Sequence, residues 1–360
     1  MGKATTKRRS PRVAVIHNVD FLSRPGEDDA VAPPSMEADE EVAATAEGIA
    51  SILRDNGMRT FILQVDDSLD GLLARLNDLR ITAVFNLVES LGNDSAREPE
   101  LPILLEKAKI PYTGNSPTAL RLAHCKENAR RLLTAHGLPV AAGLAVDRVD
   151  ELTDEVVAPL AFPLFVKPAH TDASIGIDQN SVVRDIDALR ARVGWLRQHI
   201  KGPVLVEEYL PGREINVAIF PDPFTGVAVP TEIDFSPYPP GYEPIVTYNC
   251  KWLPATPEYA AMSHPCADRL PRELYDEVRR LAMAAFLTLG GASYGRVDMR
   301  LDKHGRPHII DVNPNNDLDR EAGLAIAARS VGVDYAALVA AIMAGARVKE
   351  QHVFATGDPA

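Results

Sequence analysis

Near the C-terminus, charged and amide side chains recur at two-residue spacing. The segment Gly295-Arg296-Val297-Asp298-Met299-Arg300 precedes the polar turn Asp302-Lys303-His304-Gly305-Arg306 and then His308-Ile309-Ile310-Asp311-Val312-Asn313-Pro314. The pattern predicts two adjacent strands joined by a Gly-containing turn. Side chains two apart on a strand share a face. Arg296, Asp298 and Arg300 therefore line one face of the first strand, and Asp311 and Asn313 one face of the second. If the faces coincide, two carboxylates and a carboxamide converge beside a guanidinium. Oxygen ligands of that kind suit Mg²⁺, which is held by one or two carboxylates plus substrate phosphates. An arginine there suits a transferring phosphoryl group. The plainer alternative is a solvated hairpin with ordinary surface charges.

Three further segments carry candidate chemistry. Lys167 ends the apolar run Phe165-Val166-Lys167-Pro168, and the short-chained stretch His170 to Ile177, which includes Ser174, follows. A lysine at a strand end before such a loop can meet phosphates with a point charge and backbone N–H groups; an ordinary strand-to-turn junction reads the same way. Val204-Leu205-Val206-Glu207-Glu208-Tyr209-Leu210-Pro211-Gly212-Arg213-Glu214 reads as a strand, a turn and the start of another strand. Its carboxylates could flank a purine and reach ribose hydroxyls, or be surface glutamates. Lys251 lies in the loop Pro237 to Pro257, which contains six prolines. Long loops in compact domains are often functional lids, although some are only surface excursions.

The elements that must position these residues alternate between strand and helix. Strand patterns at 13–17, 60–65 and 82–87 are separated by helical patterns at 37–56 and 69–79, and a helix at 101–109 precedes Ile110-Pro111-Tyr112. This is the alternation of a doubly wound parallel unit. No GxGxxG follows the first strand, so a dinucleotide fingerprint is absent. A helix near 125–136, strand patterns at 140–146 and 162–167, and a helix near 186–198 suggest a smaller α/β lobe. Strands at 204–208, 214–220 and 227–235, a long helix at 272–288, the hairpin, and helices at about 321–330 and 335–344 suggest a third unit.

Size and composition agree with this. The 360 residues are enough for two or three domains with real cores. Apolar residues make up 46% and charged residues 24%, as in ordinary globular proteins. No apolar run reaches the ~18 residues of a membrane span. Met1 to Arg12 is basic and polar without a following h-region, and reads as a disordered tail. Its Met1-Gly2-Lys3-Ala4-Thr5-Thr6 matches only the loose myristoylation pattern. The cysteines Cys125, Cys250 and Cys266 are odd in number and lack CxxC spacing, which favours a reducing cytoplasm over a disulfide framework or zinc site. The sequon Asn93-Asp94-Ser95 is then without consequence. A net charge of −12 disfavours general nucleic-acid binding.

Taken in order, the segments resemble the ATP-grasp superfamily and, within it, the D-alanine–D-alanine ligases. The resemblance runs from about Val13 to Leu338. It rests on Ile110-Pro111-Tyr112-Thr113-Gly114; on Lys126 and the helix to Gly137-Leu138-Pro139; on Val166-Lys167-Pro168; on Val206 through Glu214; and on Arg296-Val297-Asp298 with Asp311-Val312-Asn313. It implies an α/β ATP-grasp fold of three α/β domains, with nucleotide held between the central and C-terminal ones. The expected division is a tail at 1–12, an N-terminal domain at 13–117, a small central lobe at 118–203, a catalytic domain at 204–350 and a tail at 351–360.

Carried onto this sequence, the resemblance implies that Lys126 and Lys167 contact the nucleotide, with Ser174 in the phosphate loop. Glu207, Glu208 and Leu210 would lie along the adenine and Glu214 on the ribose. Asp298, Asp311 and Asn313 would ligate two Mg²⁺ ions, with Mn²⁺ as a substitute, and Arg296 and Lys251 would stabilise the phosphoryl group. The family has glutamate where Asp311 stands. The implied reaction is ATP-dependent joining of a carboxylate to an amine through an acyl phosphate.

Departures concentrate at the amino-acid end. Where the ligases use a glutamate, a serine and usually a tyrosine, this chain has Asp39 (beside Glu40 and Glu41), Ala173 and Trp252. A family histidine is replaced near Glu89, and the family's Ser-Pro-Gly-Met segment by Pro314-Asn315-Asn316-Asp317-Leu318. Such losses can cost a substrate orders of magnitude. The implied substrates are therefore amino acids or small peptides other than two D-alanines, and the acidic replacements suit an amino or cationic one. A true D-alanine–D-alanine ligase, a non-catalytic ATP-binding protein and an ATP-grasp kinase remain as alternatives. The family is often dimeric, so a homodimer is allowed; neither nucleic acid nor membrane is implied, and the expected location is cytoplasmic.

Overall fold

The computed structural model describes residues 10–19, 36–171, 174–221, 226–253, 255–261 and 270–349. Residues 1–9 of the expected N-terminal tail, the expected C-terminal tail and most of the loop after Val19 lie outside these, as do Ala173 and the side chain of Asp39. The N-terminal tail is shorter than expected, because Arg12 already pairs with Arg59 as the first residue of a strand.

The first unit is a parallel sheet of β1 (Arg12–Asn18), β2 (Arg59–Val65) and β3 (Ala83–Leu87) in the order β2-β1-β3. β1 is central and apolar on both faces, because helices cover both. Val13 and Val15 face a core with Ile49 and Leu53 of α1 (Met36–Asp55). Ala14 and Ile16 face Leu72 and Leu76 of α2 (Leu72–Asp78) and Leu101 and Leu105 of α3 (Glu100–Lys107). α2 starts later than its apolar pattern because Gly71, at its N-cap, has a left-handed backbone with φ 73°.

Two helices follow. α4 (Pro117–His124), which the pattern does not predict, has Ser116 as N-cap and proline in its first turn. α5 (Lys126–Ala135) begins with the candidate lysine. Ala123, Ala129 and Leu133 of this pair pack into the core of the large C-terminal sheet.

The small lobe is a four-stranded sheet in the order β4-β7-β5-β6, where β4 is Gly143–Val146, β5 Leu164–Pro168, β6 Val182–Val183 and β7 Val204–Glu208. α6 (Asp154–Val157) and α7 (Ile186–His199) complete it. The sequence pattern begins the third unit at Val204, but β7 pairs antiparallel with both β4 and β5. Val204, Leu205 and Val206 are all buried, which requires a strand covered on both faces. The division we propose therefore falls between Glu208 and Glu214.

The large sheet has the order β11-β10-β8-β9, with β8 at Glu214–Pro221, β9 at Gly226–Ile233, β10 at Gly295–Leu301 and β11 at Pro307–Asn313. The Pro-rich segment is not all loop: it folds α8 (Tyr248–Trp252), and α9 (Pro257–Ala261) starts at its end. Thr247 caps α8 by accepting from the Cys250 N–H. α10 (Arg272–Thr288) covers one face of the sheet. α11 (Gly323–Ser330) and α12 (Tyr335–Ala344) cover the other, and share their core with α1 and β1. Among the described residues no single helix is long and apolar enough to cross a membrane.

Candidate active site

The hairpin faces do coincide. In the β10–β11 register, Asp298 stands opposite Asp311 and Arg296 opposite Asn313. A bulge follows between Asp298 and Met299, so Ile310 is extra on β11. The bulge frees the Ile310 carbonyl, which accepts a hydrogen bond from Lys167 Nζ at 3.2 Å. On the other side of β10, Asp298 faces Asn216 and Arg300 faces Glu214 of β8. The strands thus lay carboxylates, amides and arginines across the floor of one cleft of about 960 Å³. Every expected site residue lines this cleft except Asp39, whose side chain is outside the described residues.

Within the floor, Arg296 donates Nε to Asp298 Oδ1 at 2.6 Å, Nη2 to Asp298 Oδ2 at 2.8 Å and Nη1 to Asn316 Oδ1 at 2.8 Å. Burial opposes the Arg296 charge, but Asp298, Asp311 and Glu214 outweigh it and hold its pKa above the usual guanidinium value. Among the described residues no three His, Cys, Asp or Glu side chains form a metal cluster. The floor offers two facing carboxylates and the Asn313 amide instead. That donor set fits Mg²⁺, which completes its octahedron with water and substrate phosphate.

The small lobe supplies the roof. Lys167 on β5 and Glu207 on β7 are both buried and pair at 2.9 Å. Lys126 Nζ donates to the Thr171 carbonyl at 2.7 Å and lies 3.9 Å from Asp311. Ser174, at the edge of the same loop, has a left-handed backbone with φ 59°, uncommon for a side chain other than Gly, Asn or Asp. At the end of β7, Glu208 accepts from the Ala161 N–H at 2.8 Å, while Leu210, just after the strand, is buried against the cleft. Burial raises the Glu214 carboxyl pKa, with Arg300 at 2.9 Å acting the other way.

A third wall is the Pro-rich segment. Lys251 projects into the cleft from α8. Desolvation, then the neighbouring Arg296, lowers its pKa, with Asp298 and Asp311 opposing. The segment is tied to the small lobe: Tyr248 N–H donates to the Ile177 carbonyl at 2.9 Å, and Gln179 exchanges hydrogen bonds with the backbone of Glu243.

Part of the lining is acidic. Glu41 from α1, Glu89 after β3, and Asp317, Asp319 and Glu321 after β11 all line the cleft. Desolvation raises the Asp317 carboxyl pKa. Asn316 is buried against Arg296, and Trp252 lines the wall beside α8.

Two residues were not singled out from sequence. Arg300 shares the strand face of Arg296 and Asp298, but its partners, the Glu214 carboxylate and the Leu210, Gly212 and Pro244 carbonyls, are far away in the chain. Glu258 is buried and accepts from Thr247, Asn249 and Gln179; a glutamate after a proline-rich loop carries no signal of such a role.

Comparisons with known proteins bear on this cleft. Residues 132–344 match the family model described as "D-ala D-ala ligase C-terminus". The chain is 30% identical over 258 residues to the D-alanine–D-alanine ligase of Bordetella avium, covering 72% of this chain and 75% of that protein. It is 30% identical over 305 residues to the uncharacterized protein y4sG of Sinorhizobium fredii, covering 83% and 86%. Among solved structures, it matches the D-alanine–D-alanine ligase of Bacillus anthracis complexed with ATP at TM-score 0.71 and 20% identity, over 94% of this chain and 97% of that one. It matches the VanG D-Ala:D-Ser ligase of Enterococcus faecalis at TM-score 0.68 and 18% identity, over 93% and 99%. At these identities the structural likeness shows the fold.

Proposed function

The chain belongs to the D-alanine–D-alanine ligase family, and we infer that it is an ATP-dependent carboxylate–amine ligase acting on amino acids or small peptides. The observation that carries this reading is the β10–β11 register, which sets Asp298 against Asp311 and Arg296 against Asn313 under Lys126 and Lys167.

In this reading the γ-phosphoryl group passes to a substrate carboxylate oxygen, giving an acyl phosphate and ADP. The second substrate's amine attacks the acyl carbon, loses a proton, and phosphate departs through a tetrahedral intermediate. Lys126 and Lys167 hold the phosphates, Leu210 and Glu207 line the base, and Glu214 takes the ribose. Arg296 and Lys251 stabilise the transferring group, so catalysis is positioning and electrostatics without a covalent enzyme nucleophile. Asp298, Asp311 and Asn313 would hold Mg²⁺, which supplies charge neutralisation at phosphate oxygens.

The substrates we propose are not two D-alanines. Glu41, Glu89, Asp317, Asp319 and Glu321 favour a substrate bearing an amino or other cationic group. The setting that accompanies this reading is the cytoplasm.

The test is phosphate release from Mg·ATP against D- and L-amino acids and dipeptides, singly and in pairs. The expected result is release that requires one acid and one amine, strongest with a cationic partner. Release with D-alanine alone at ordinary concentrations overturns the substrate reading. A stable phosphorylated product, identified by mass, makes the enzyme a kinase. ATP binding with no release across the panel leaves a nucleotide-binding protein.

A further inference from the structure

Arg300 is 5% exposed and has its guanidinium filled by partners from three separate segments. Nε donates to the Leu210 carbonyl at 2.9 Å and Nη2 to the Gly212 carbonyl at 3.2 Å, both in the turn after β7. Nη1 donates to Glu214 Oε2 at 2.9 Å and to the Pro244 carbonyl, in the Pro-rich segment, at 2.7 Å. The planar group also lies 5.3 Å from the Tyr209 ring centre. Only an arginine can do this: its donors form a rigid fork, whereas a lysine offers one compact ammonium.

The partners are the ones that matter to the cleft. Leu210 and Glu214 line it, and Pro244 lies shortly before Thr247, the cap of the helix that carries Lys251. Glu214 gives only Oε2 to the arginine, which leaves Oε1 for a hydroxyl in the cleft. Arg300 itself is on β10, two residues from Asp298.

We propose that Arg300 is a positioning residue that couples the nucleotide pocket to the Pro-rich lid. It fixes Leu210 and the Glu214 carboxylate and, through the same guanidinium, anchors the segment that delivers Lys251. Nucleotide engagement on Leu210 and Glu214 is thereby transmitted to Pro244. This rests on the ATP-binding reading above.

The test uses the full chain with Mg²⁺ and a non-hydrolysable ATP analogue, read by calorimetry and by amide hydrogen exchange over 243–253. Wild type, Arg300→Lys and the control Arg213→Met are compared; Arg213, just before β8, is paired with Glu232 of β9, and its side chain does not line the cleft. Saturating analogue should slow exchange over 243–253 in wild type. Arg300→Lys should bind the analogue about 10- to 100-fold more weakly, lose its preference over the 2′- and 3′-deoxy forms, and exchange faster at 243–247 without nucleotide. Arg213→Met should change none of these. Wild-type exchange unmoved by bound nucleotide overturns the proposal, and this arm needs no variant to fold. So does a folded Arg300→Lys with wild-type affinity, ribose preference and loop exchange. A wild-type chain that binds no nucleotide overturns the ligase reading itself, an outcome the calorimetry separates from the other two.

Discussion

Arg296 and Asp298, two residues apart on one strand, form a forked ion pair with Nε–Oδ1 at 2.6 Å and Nη2–Oδ2 at 2.8 Å. The pair neutralises both residues, so a cation at Asp298 and a phosphate at Arg296 would each weaken it and favour arrival of the other. Asp298→Ala removes a proposed metal ligand and leaves Arg296 without its main counter-charge. It should lower Mg·ATP-dependent turnover by about 10²–10³-fold or more. Near-normal phosphate release from a folded Asp298→Ala would refute the assignment.

Lys251 reaches the cleft from α8 and has no role in the core. On the proposed role of its charge at the moving phosphoryl group, Lys251→Met should reduce kcat by about 10²-fold while changing nucleotide affinity far less. Single-turnover rates beside equilibrium binding separate the two effects. Equal losses in both would make Lys251 a simple phosphate-binding residue.

Glu258 holds the lid's shape with three side-chain hydrogen bonds, from Thr247 at 3.1 Å, Asn249 at 3.2 Å and Gln179 at 3.3 Å. An amide in its place offers one acceptor oxygen instead of two and opposes the Asn249 donor with its own. Glu258→Gln should destabilise the lid by about 1–3 kcal/mol and speed proteolysis within 247–261, with little change in global melting. A protease pattern identical to wild type would remove Glu258 from this role.

Asp317 is one of the acidic residues that line the cleft, and we propose that it meets the amino-acid substrate rather than the nucleotide. Asp317→Asn should raise KM for the cationic substrate roughly 10-fold and leave KM for ATP unchanged, the cost of one charge-assisted contact. Parallel rises in both constants would place Asp317 elsewhere in the mechanism.

Lys349 gives a pH signature. Its ammonium donates to the Tyr112 carbonyl at 2.9 Å and lies 3.5 Å from the ring centre. Burial, then Arg347, pushes its pKa from 10.5 down to about 7, with Glu106 opposing. Between those values the unfolded chain holds a proton that the folded chain lacks. Lys349 therefore adds stability as pH rises from about 7 toward 10.5, and this is lost again as pH falls. Lys349→Met should be more stable than wild type at pH 7 by on the order of 3 kcal/mol, an advantage that shrinks toward pH 10. Urea midpoints at several pH values measure this, and a difference independent of pH would contradict it.

The features legible in sequence were those with local periodicity. The two-residue spacing of Arg296, Asp298, Asp311 and Asn313 is enough to predict a shared face, and short apolar runs alternating with helical patterns find β1 to β3 with their helices. What sequence hides depends on distant pairing. β7 joins the small lobe because β4 and β5 flank it, which its apolar run does not announce. The bulge at Ile310 leaves no mark in a run of Ile and Val, yet it aims a carbonyl at Lys167. Arg300 and Glu258 take their meaning from partners about 56 to 90 and up to about 79 positions away, respectively.

The shared core of α1, β1, α11 and α12 bears on the order in which the protein can be made. Val13, Val15 and Ile49 leave the ribosome well before Leu338 and Ile342, which close over the same core but lie about 290 positions or more further along the chain. Domains usually fold as units, N-terminal first. Here the first sheet must wait with one apolar flank uncovered until α11 and α12 have been made. An N-terminal fragment expressed alone would carry that flank into solution, and a nascent chain stalled before α12 would depend on chaperones to shield it.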